Sequence, residues 1–98
     1  MCGVAGIFYP DNRRVESDAL RRMTRALIHR GPDEEGFHEE PGIGLGHRRL
    51  SIIDLSTGQQ PLCNEDGTVW VTFNGEIFNY LELRVDLEKR GHQFRTHS

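Results

Sequence analysis

The chain opens on Met1-Cys2-Gly3-Val4-Ala5-Gly6-Ile7-Phe8, an apolar, glycine-punctuated segment that predicts a first β-strand from Cys2 to Tyr9. The segment ends at Pro10-Asp11-Asn12, three residue types that are typical of turns. Because the predicted strand starts at the second residue, we expect the N-terminus to be held inside the fold.

Cys2 is the first candidate for chemistry. Removal of Met1 would leave a thiol and a free α-amine on one residue, with ordinary pKa values of about 8.5 and about 7.7 to 8.0. The amine could take the thiol proton directly or through one water, so nucleophile and base would come as one residue. The alternative is that Cys2 is a small buried hydrophobe at the start of a strand, as most free cysteines are. The position of Cys2 leaves both interpretations open.

Composition sets the class of protein. A chain of 98 residues with 36% hydrophobic and 28% charged residues suits one soluble globular domain. No apolar run approaches the roughly 18 residues that cross a membrane, and no secretory signal precedes the first strand. We therefore expect a cytoplasmic protein in which Cys2 and Cys63 are free thiols. The net charge of −3 gives no general attraction to nucleic acid or to an anionic membrane.

Hydrophobic periodicity predicts two helices. Ser17 can cap a first helix that runs to about His29, with its arginines on the solvated face. A second helix is predicted from Glu76 to a C-cap at Gly91. The apolar stripe of the first helix consists of Leu20, Met23, Leu27 and Ile28.

Short β-segments separate the two helices, and one more follows the second. They are predicted at 36–39, 43–47, 50–53, 69–73 and 92–96, with a loop at 54–60 and a turn at Asn64-Glu65-Asp66-Gly67. This order of elements predicts an α+β fold with mainly antiparallel sheets.

Three patterns suggest a dinucleotide-binding, a metal-binding and an acid/base site, but their residue spacing does not fit these functions. Gly42-Ile43-Gly44-Leu45-Gly46 lacks the third glycine and the helix of a dinucleotide fingerprint, so we expect strand glycines that allow close backbone approach. The histidines show no spacing with cysteines or carboxylates that zinc ligands use, which predicts no metal site. Glu34 and Glu35 would point to opposite faces of an extended segment, so they are interpreted as surface charge rather than an acid/base couple.

Two further pairs have open interpretations. Asn74-Gly75 ends a hydrophobic run, where a side-chain amide and a backbone N–H could bind an oxyanion, although Asn-Gly is also a common tight turn. Arg48-Arg49 is either a surface pair or places one guanidinium inward to bind a carboxylate with two hydrogen bonds.

Taken together, five segments carry a family resemblance. They are Met1 to Phe8, His29-Arg30-Gly31-Pro32-Asp33, Arg49-Leu50-Ser51-Ile52-Ile53-Asp54, Gln60-Pro61-Leu62 and Asn74-Gly75-Glu76-Ile77-Phe78-Asn79-Tyr80. In this order they resemble the glutaminase domain of glutamine-hydrolysing asparagine synthetases. Class II amidotransferases that make glucosamine phosphate or phosphoribosylamine share the N-terminal cysteine and Asn-Gly, but their other segments differ.

The resemblance implies an N-terminal-nucleophile (Ntn) hydrolase-like αββα sandwich. Residues 1–98 would then be the first half of a type 2 glutamine amidotransferase domain, with the rest of that domain and a synthetase domain absent from this sequence. We expect these 98 residues to be inactive when isolated. The loop from His29 to Asp33 is expected to pack near Cys2, with no catalytic step assigned to it.

The resemblance also implies site roles. Cys2 would attack the amide of glutamine, and the Asn74 amide and Gly75 N–H would bind the oxyanion. Arg49 would bind the substrate carboxylate and Glu76 its ammonium group. The full implied glutamine-binding set is Arg49, Leu50, Ser51, Ile52, Ile53, Asn74, Gly75 and Glu76.

By the same resemblance, the hydrolytic step needs no cofactor. ATP and Mg²⁺ would serve the synthetase domain, which would use the released ammonia to convert aspartate to asparagine. Two alternatives stay open: a family member that amidates a sugar or peptide precursor, and a catalytically silent binding or regulatory module. The sequence leaves the oligomeric state open.

Overall fold

A computed structural model describes residues 2–50 and 58–96 of the chain. The described part is α+β, with antiparallel strand pairing throughout, which confirms the predicted class. Its elements are β1 (Gly3–Phe8), α1 (Ser17–Arg25), β2 (Glu34–Glu40), β3 (Ile43–Arg49), β4 (Leu62–Cys63), β5 (Trp70–Val71) and α2 (Tyr80–Lys89). Neither α1 nor α2 has the length and apolar character that a membrane-spanning helix needs.

The first sheet has β3 at its centre, in the order β1-β3-β2. One face of this sheet packs against α1, and its glycines set how closely the helix approaches. A Cβ on Gly46 would lie 2.1 Å from the Thr24 hydroxyl oxygen, and one on Gly44 would lie 2.9 Å from Val15. The predicted close backbone approach at these strand glycines is therefore confirmed.

The core beneath α1 is small. Val15 and Leu20 are the buried hydrophobic side chains of the described residues. Thr24 is buried beside them, and its hydroxyl donates a hydrogen bond to the Leu20 carbonyl at 2.8 Å, so no polar group is left without a partner there.

The first helix differs from its prediction at both ends. Ser17 is not the cap: the N-cap is Glu16, and the Ser17 hydroxyl donates to Glu39 at 2.7 Å. The helix ends at Arg25 instead of His29, because the N–H groups of Leu27 and Ile28 bond three residues back, which tightens the chain into turns. The predicted apolar stripe of this helix was also partly wrong, since Met23 is 42% exposed and Ile28 53% exposed.

The second sheet is the antiparallel pair β4-β5. Its connection is the predicted turn at Asn64 to Gly67, where the Asn64 side-chain oxygen accepts hydrogen bonds from the N–H groups of Thr68 and Val69. The predicted strand at 69–73 is regular only at Trp70–Val71, and its partner β4 was not predicted. The predicted strand at 50–53 and loop at 54–60 lie largely outside the described residues.

The second helix ends as predicted and begins later than predicted. It starts at Tyr80 rather than Glu76, and Gly91 follows its C-cap with a φ of +94°. The N–H of Gly91 bonds to Glu88 and that of His92 to Leu87, which is the Schellman arrangement that favours glycine at this position. No residue of α2 is fully buried, and the apolar side chains of Tyr80, Leu81, Leu83 and Val85 are exposed.

The predicted strand at 92–96 was wrong. The hydrogen bonds that hold this segment involve side chains, whereas a strand would bond to the backbone of a neighbouring strand. The N–H of Gln93 donates to the Glu65 carboxylate at 3.1 Å, and the Arg95 guanidinium donates to the carbonyls of Cys63 and Asn64. These contacts hold the segment beside β4 without a backbone ladder.

Candidate functional site

Cys2 lies directly before β1, at the end of the first sheet. The β1–β3 register ends with Gly3 opposite Arg48, so Cys2 and Arg49 are the next residues on the two strands. The Leu50 N–H donates to Cys2 Sγ at 3.4 Å, and Cys2 is a half-buried free cysteine. The structure therefore brings together three of the residues singled out in the sequence: Cys2, Arg49 and Leu50.

The loop that joins α1 to β2 holds both of these strand ends. Arg30 Nε donates to the carbonyl oxygen of Cys2 at 3.3 Å, and the Asp33 N–H donates to the Arg49 carbonyl at 3.0 Å. The predicted packing of this loop near Cys2 is confirmed. Its role is to position the backbone of Cys2 and of the end of β3.

Gly31 lets the loop approach β3. A Cβ at this position would lie 2.3 Å from the backbone carbon of Arg48, and the Gly31 carbonyl accepts a hydrogen bond from Arg48 Nε at 2.8 Å. The overlap is with backbone, so rotation of a side chain cannot relieve it.

We expect Gly31→Ala to lower the free energy of unfolding by about 1 to 3 kcal/mol, because overpacking forces the loop away from β3. Denaturant unfolding of the full chain measures the loss. Gly6→Ala is the matched control, because a Cβ there would meet its nearest heavy atom at 3.6 Å, an ordinary contact. Equal losses in the two variants would contradict the close packing at Gly31.

The adjacent arginines are both buried, with 7% exposure for Arg48 and 6% for Arg49. They lie on opposite faces of β3 because successive residues of a strand alternate. Arg48 pairs with Glu35 at 3.0 Å, on the face that also brings Arg25 of α1 within 3.9 Å of Glu35. Arg49 pairs with Glu34 at 3.2 Å on the face opposite α1.

The interpretation of Glu34 and Glu35 as surface charge holds in part, because Glu34 is half-buried and Glu35 is exposed. Each carboxylate lies directly across from a buried arginine, in the register pairs Glu34 with Arg49 and Glu35 with Arg48. Their predicted separation onto opposite faces holds. The ion pairs were not predicted, because the partner strand, which decides whether a carboxylate is paired, cannot be read from the local sequence.

His47 lies on the same face as Arg49 and was not assigned a role from the sequence. It is 1% exposed, and its Nδ1 lies 2.9 Å from the Thr72 hydroxyl. Within the described part of the chain, its buried Nε2 has no hydrogen-bond partner. Burial, with a smaller contribution from the Arg49 charge, lowers the pKa of His47 below its ordinary value, so the ring is neutral at neutral pH.

The segment before Asn74 is anchored to this region. Thr72 contacts His47, and the N–H of Phe73 donates to the Gln60 side chain at 2.6 Å. The second sheet is attached beside it, because the His38 and Trp70 rings stack with centroids 3.7 Å apart. Gln60, His38 and His47 therefore help to position this region; Gln60 was noted only as part of a resemblance segment, and no local sequence signal marked the contacts of His38 and His47.

Asn74, Gly75 and Glu76 lie on the exposed connection between β5 and α2. No hydrogen bond among the described residues joins any of the three to Cys2. The structure thus anchors the two residues before Asn74 and leaves the predicted oxyanion-binding pair at the surface. Ser51, Ile52 and Ile53 lie outside the described residues.

The whole chain, residues 1–98, matches the family defined as the glutamine amidotransferase domain. It is 46% identical over 101 residues to asparagine synthetase [glutamine-hydrolyzing] 1 of Bacillus subtilis, covering 100% of this chain and 16% of the relative. It is also 46% identical to asparagine synthetase [glutamine-hydrolyzing] 2 of the same organism, with coverage of 100% and 13%. Asparagine synthetase [glutamine-hydrolyzing] 3 of Arabidopsis thaliana is 44% identical, with coverage of 100% and 17%. The chain therefore spans less than a fifth of the length of these relatives.

Proposed function

Because the chain belongs to the glutamine amidotransferase family, we propose that it hydrolyses the side-chain amide of glutamine with Cys2 as the nucleophile. The observation that carries the proposal is the meeting of the Cys2 thiol with the Leu50 N–H at 3.4 Å, beside the buried Arg49. A nucleophile and a cationic binding group for a substrate carboxylate then lie at one end of one sheet.

In the proposed reaction, the α-amine of Cys2 takes the thiol proton as sulfur attacks the amide carbon. The resulting oxyanion accepts hydrogen bonds from the Asn74 side-chain amide and the Gly75 N–H. Collapse of this intermediate breaks the C–N bond, and the departing nitrogen takes the proton from the amine and leaves as ammonia. Water, deprotonated by the same amine, then hydrolyses the thioester to glutamate and restores the thiol.

Recognition of free glutamine requires its two charged α-substituents. Arg49 binds the α-carboxylate through charge-assisted hydrogen bonds, and Glu76 binds the α-ammonium group. Leu50 and the segment Ser51, Ile52 and Ile53 would line the same site, with Asn74 and Gly75 at the amide end. A peptide-bonded glutamine lacks both charges, so the site would leave Arg49 and Glu76 without their substrate partners.

We propose the Ntn-hydrolase-like αββα sandwich as the fold that completes this site. In support, α1 already covers one face of the first sheet, and β4-β5 lies against the other through the His38–Trp70 stack. Residues 1–98 would form part of one type 2 amidotransferase domain. The glutamine step uses only protein groups and no cofactor.

For the whole protein, we propose that the ammonia serves ATP- and Mg²⁺-dependent conversion of aspartate to asparagine in further sequence. The similarity to asparagine synthetases supports this acceptor. Amidation of a sugar or peptide precursor is the second candidate. Supplying a full-length enzyme with glutamine, aspartate, ATP and Mg²⁺ decides between them: asparagine formed from aspartate supports the first, and its absence alongside glutamine hydrolysis supports the second.

Arg49→Ala tests the binding site. We expect the KM for glutamine to rise by about ten- to a hundredfold with a much smaller change in kcat, because a charge-assisted contact contributes about 1.5 to 3 kcal/mol. Steady-state kinetics of glutamate release measures both constants. Arg49→Lys keeps the charge but loses the planar guanidinium, so its KM should lie between those of the unmodified enzyme and Arg49→Ala. A fall in kcat at unchanged KM would show that Arg49 is misassigned.

A further inference from the structure

We propose that Glu34 sets the affinity for glutamine, because it occupies the Arg49 guanidinium that the substrate α-carboxylate must also engage. This inference rests on the proposed function and makes Glu34 a specificity-determining residue of the same site. Arg49 Nη1 donates a hydrogen bond to Glu34 Oε2 at 3.2 Å.

The contact is built into the sheet. Glu34 lies directly opposite Arg49 in the β2–β3 register, so the pairing does not depend on a flexible loop. The Arg49 side chain is 7% exposed and that of Glu34 36%. The cation is therefore held in place, while its carboxylate partner retains access to water.

A substrate carboxylate on Arg49 would come close to the Glu34 carboxylate. Two like charges on one guanidinium repel, and the protein screens them less than bulk water does. Glutamine must either share Arg49 with Glu34 or displace it, and both reduce the free energy of binding. The affinity is consequently lower than Arg49 alone would provide.

Glu35 and Arg48 provide a matched control pair on the other face of the sheet. They are also directly opposite, with Arg48 Nη1 and Glu35 Oε2 3.0 Å apart and side-chain exposures of 8% for Arg48 and 31% for Glu35. Arg48 also bonds to the Gly31 carbonyl. Loss of the Glu35 charge therefore removes an equivalent ion pair without changing the face that carries Cys2 and Arg49.

The experiment compares Glu34→Gln and Glu35→Gln in a full-length enzyme. Glu34→Gln is expected to lower the KM for L-glutamine by about two- to fivefold, the effect of one partly exposed ion pair, with kcat nearly unchanged. Glu35→Gln should leave this KM unchanged. The second probe is L-glutaminamide, whose α-carboxylate is replaced by a neutral amide, measured as substrate or competitive inhibitor. Its binding should not improve in Glu34→Gln.

An unchanged or raised KM for L-glutamine in Glu34→Gln would overturn the inference. The same holds if Glu34→Gln binds L-glutamine and L-glutaminamide more tightly by equal factors, or if Glu35→Gln lowers the KM for L-glutamine as much as Glu34→Gln does. Should Glu34→Gln fail to fold, Glu34→Asp, which retracts the carboxylate by one methylene, is expected to lower the KM in the same direction by a smaller factor. Failure of the proposed function is a separate result, because the unmodified enzyme would then release no glutamate from glutamine.

Discussion

Cys2→Ala is expected to abolish glutamine hydrolysis, with a loss on the order of 10⁴-fold or more, because no other group would form the thioester. The substitution is expected to leave the backbone around Cys2 in place. Arg30 contacts the backbone carbonyl of Cys2 rather than its side chain, so this contact survives the substitution. Among residues 2–50 and 58–96, the substitution removes the sulfur and its contact with the Leu50 N–H. Glutamate release from glutamine measures the effect.

The control for this variant is synthesis from added ammonia in a full-length enzyme. It should continue at close to the normal rate, because only the source of ammonia is lost. Cys63→Ala is the matched thiol control: the Cys63 sulfur contacts Arg95 rather than the first sheet, and glutamine hydrolysis should persist. Loss of both activities in Cys2→Ala would show that Cys2 is structural.

The base is tested separately from the nucleophile. The proposed mechanism needs the α-amine of Cys2, which exists only after removal of Met1. Mass spectrometry of an active preparation should find Cys2 as the first residue. Full glutaminase activity in a protein that retains Met1 would contradict the amine as the base.

The elements at the end of the first sheet could be predicted in part because their signals are local. The apolar, glycine-punctuated segment of β1 and the loop from His29 to Asp33 each appear within a few consecutive residues. The shared site of Cys2 and Arg49 was implied by the family resemblance, and antiparallel pairing explains it, because it places the start of β1 beside the end of β3. The turn at Asn64 to Gly67 and the cap at Gly91 were predictable for the same reason.

Features set by distant partners could not be predicted. β4 has two residues and depends on Trp70–Val71 for its hydrogen bonds. The segment 92–96 has a strand-like sequence but bonds to Glu65, Cys63 and Asn64. The pairing of Glu34 and Glu35 with buried arginines likewise depends on the register between β2 and β3.

Asn74→Ala is expected to lower kcat for glutamine hydrolysis by about 10²- to 10³-fold, with a much smaller effect on KM, which is the usual loss when one oxyanion donor is removed. The preceding residues are held by side chains, with Thr72 at His47 and Phe73 at Gln60. Because this anchoring does not use the Asn74 side chain, the substitution should leave the path of the segment unchanged. Single-turnover measurement of thioester formation isolates the affected step.

Two further substitutions separate a lost donor from a disturbed loop. Asn74→Asp has the same shape, but its carboxylate cannot donate and would face the oxyanion with a like charge, so it should be at least as slow as Asn74→Ala. Asn79→Ala should stay near the normal rate, because Asn79 makes no side-chain cap hydrogen bond at the start of α2. A KM that rises alone in Asn74→Ala, or an Asn74→Asp variant with normal kcat, would mean that the oxyanion is bound elsewhere.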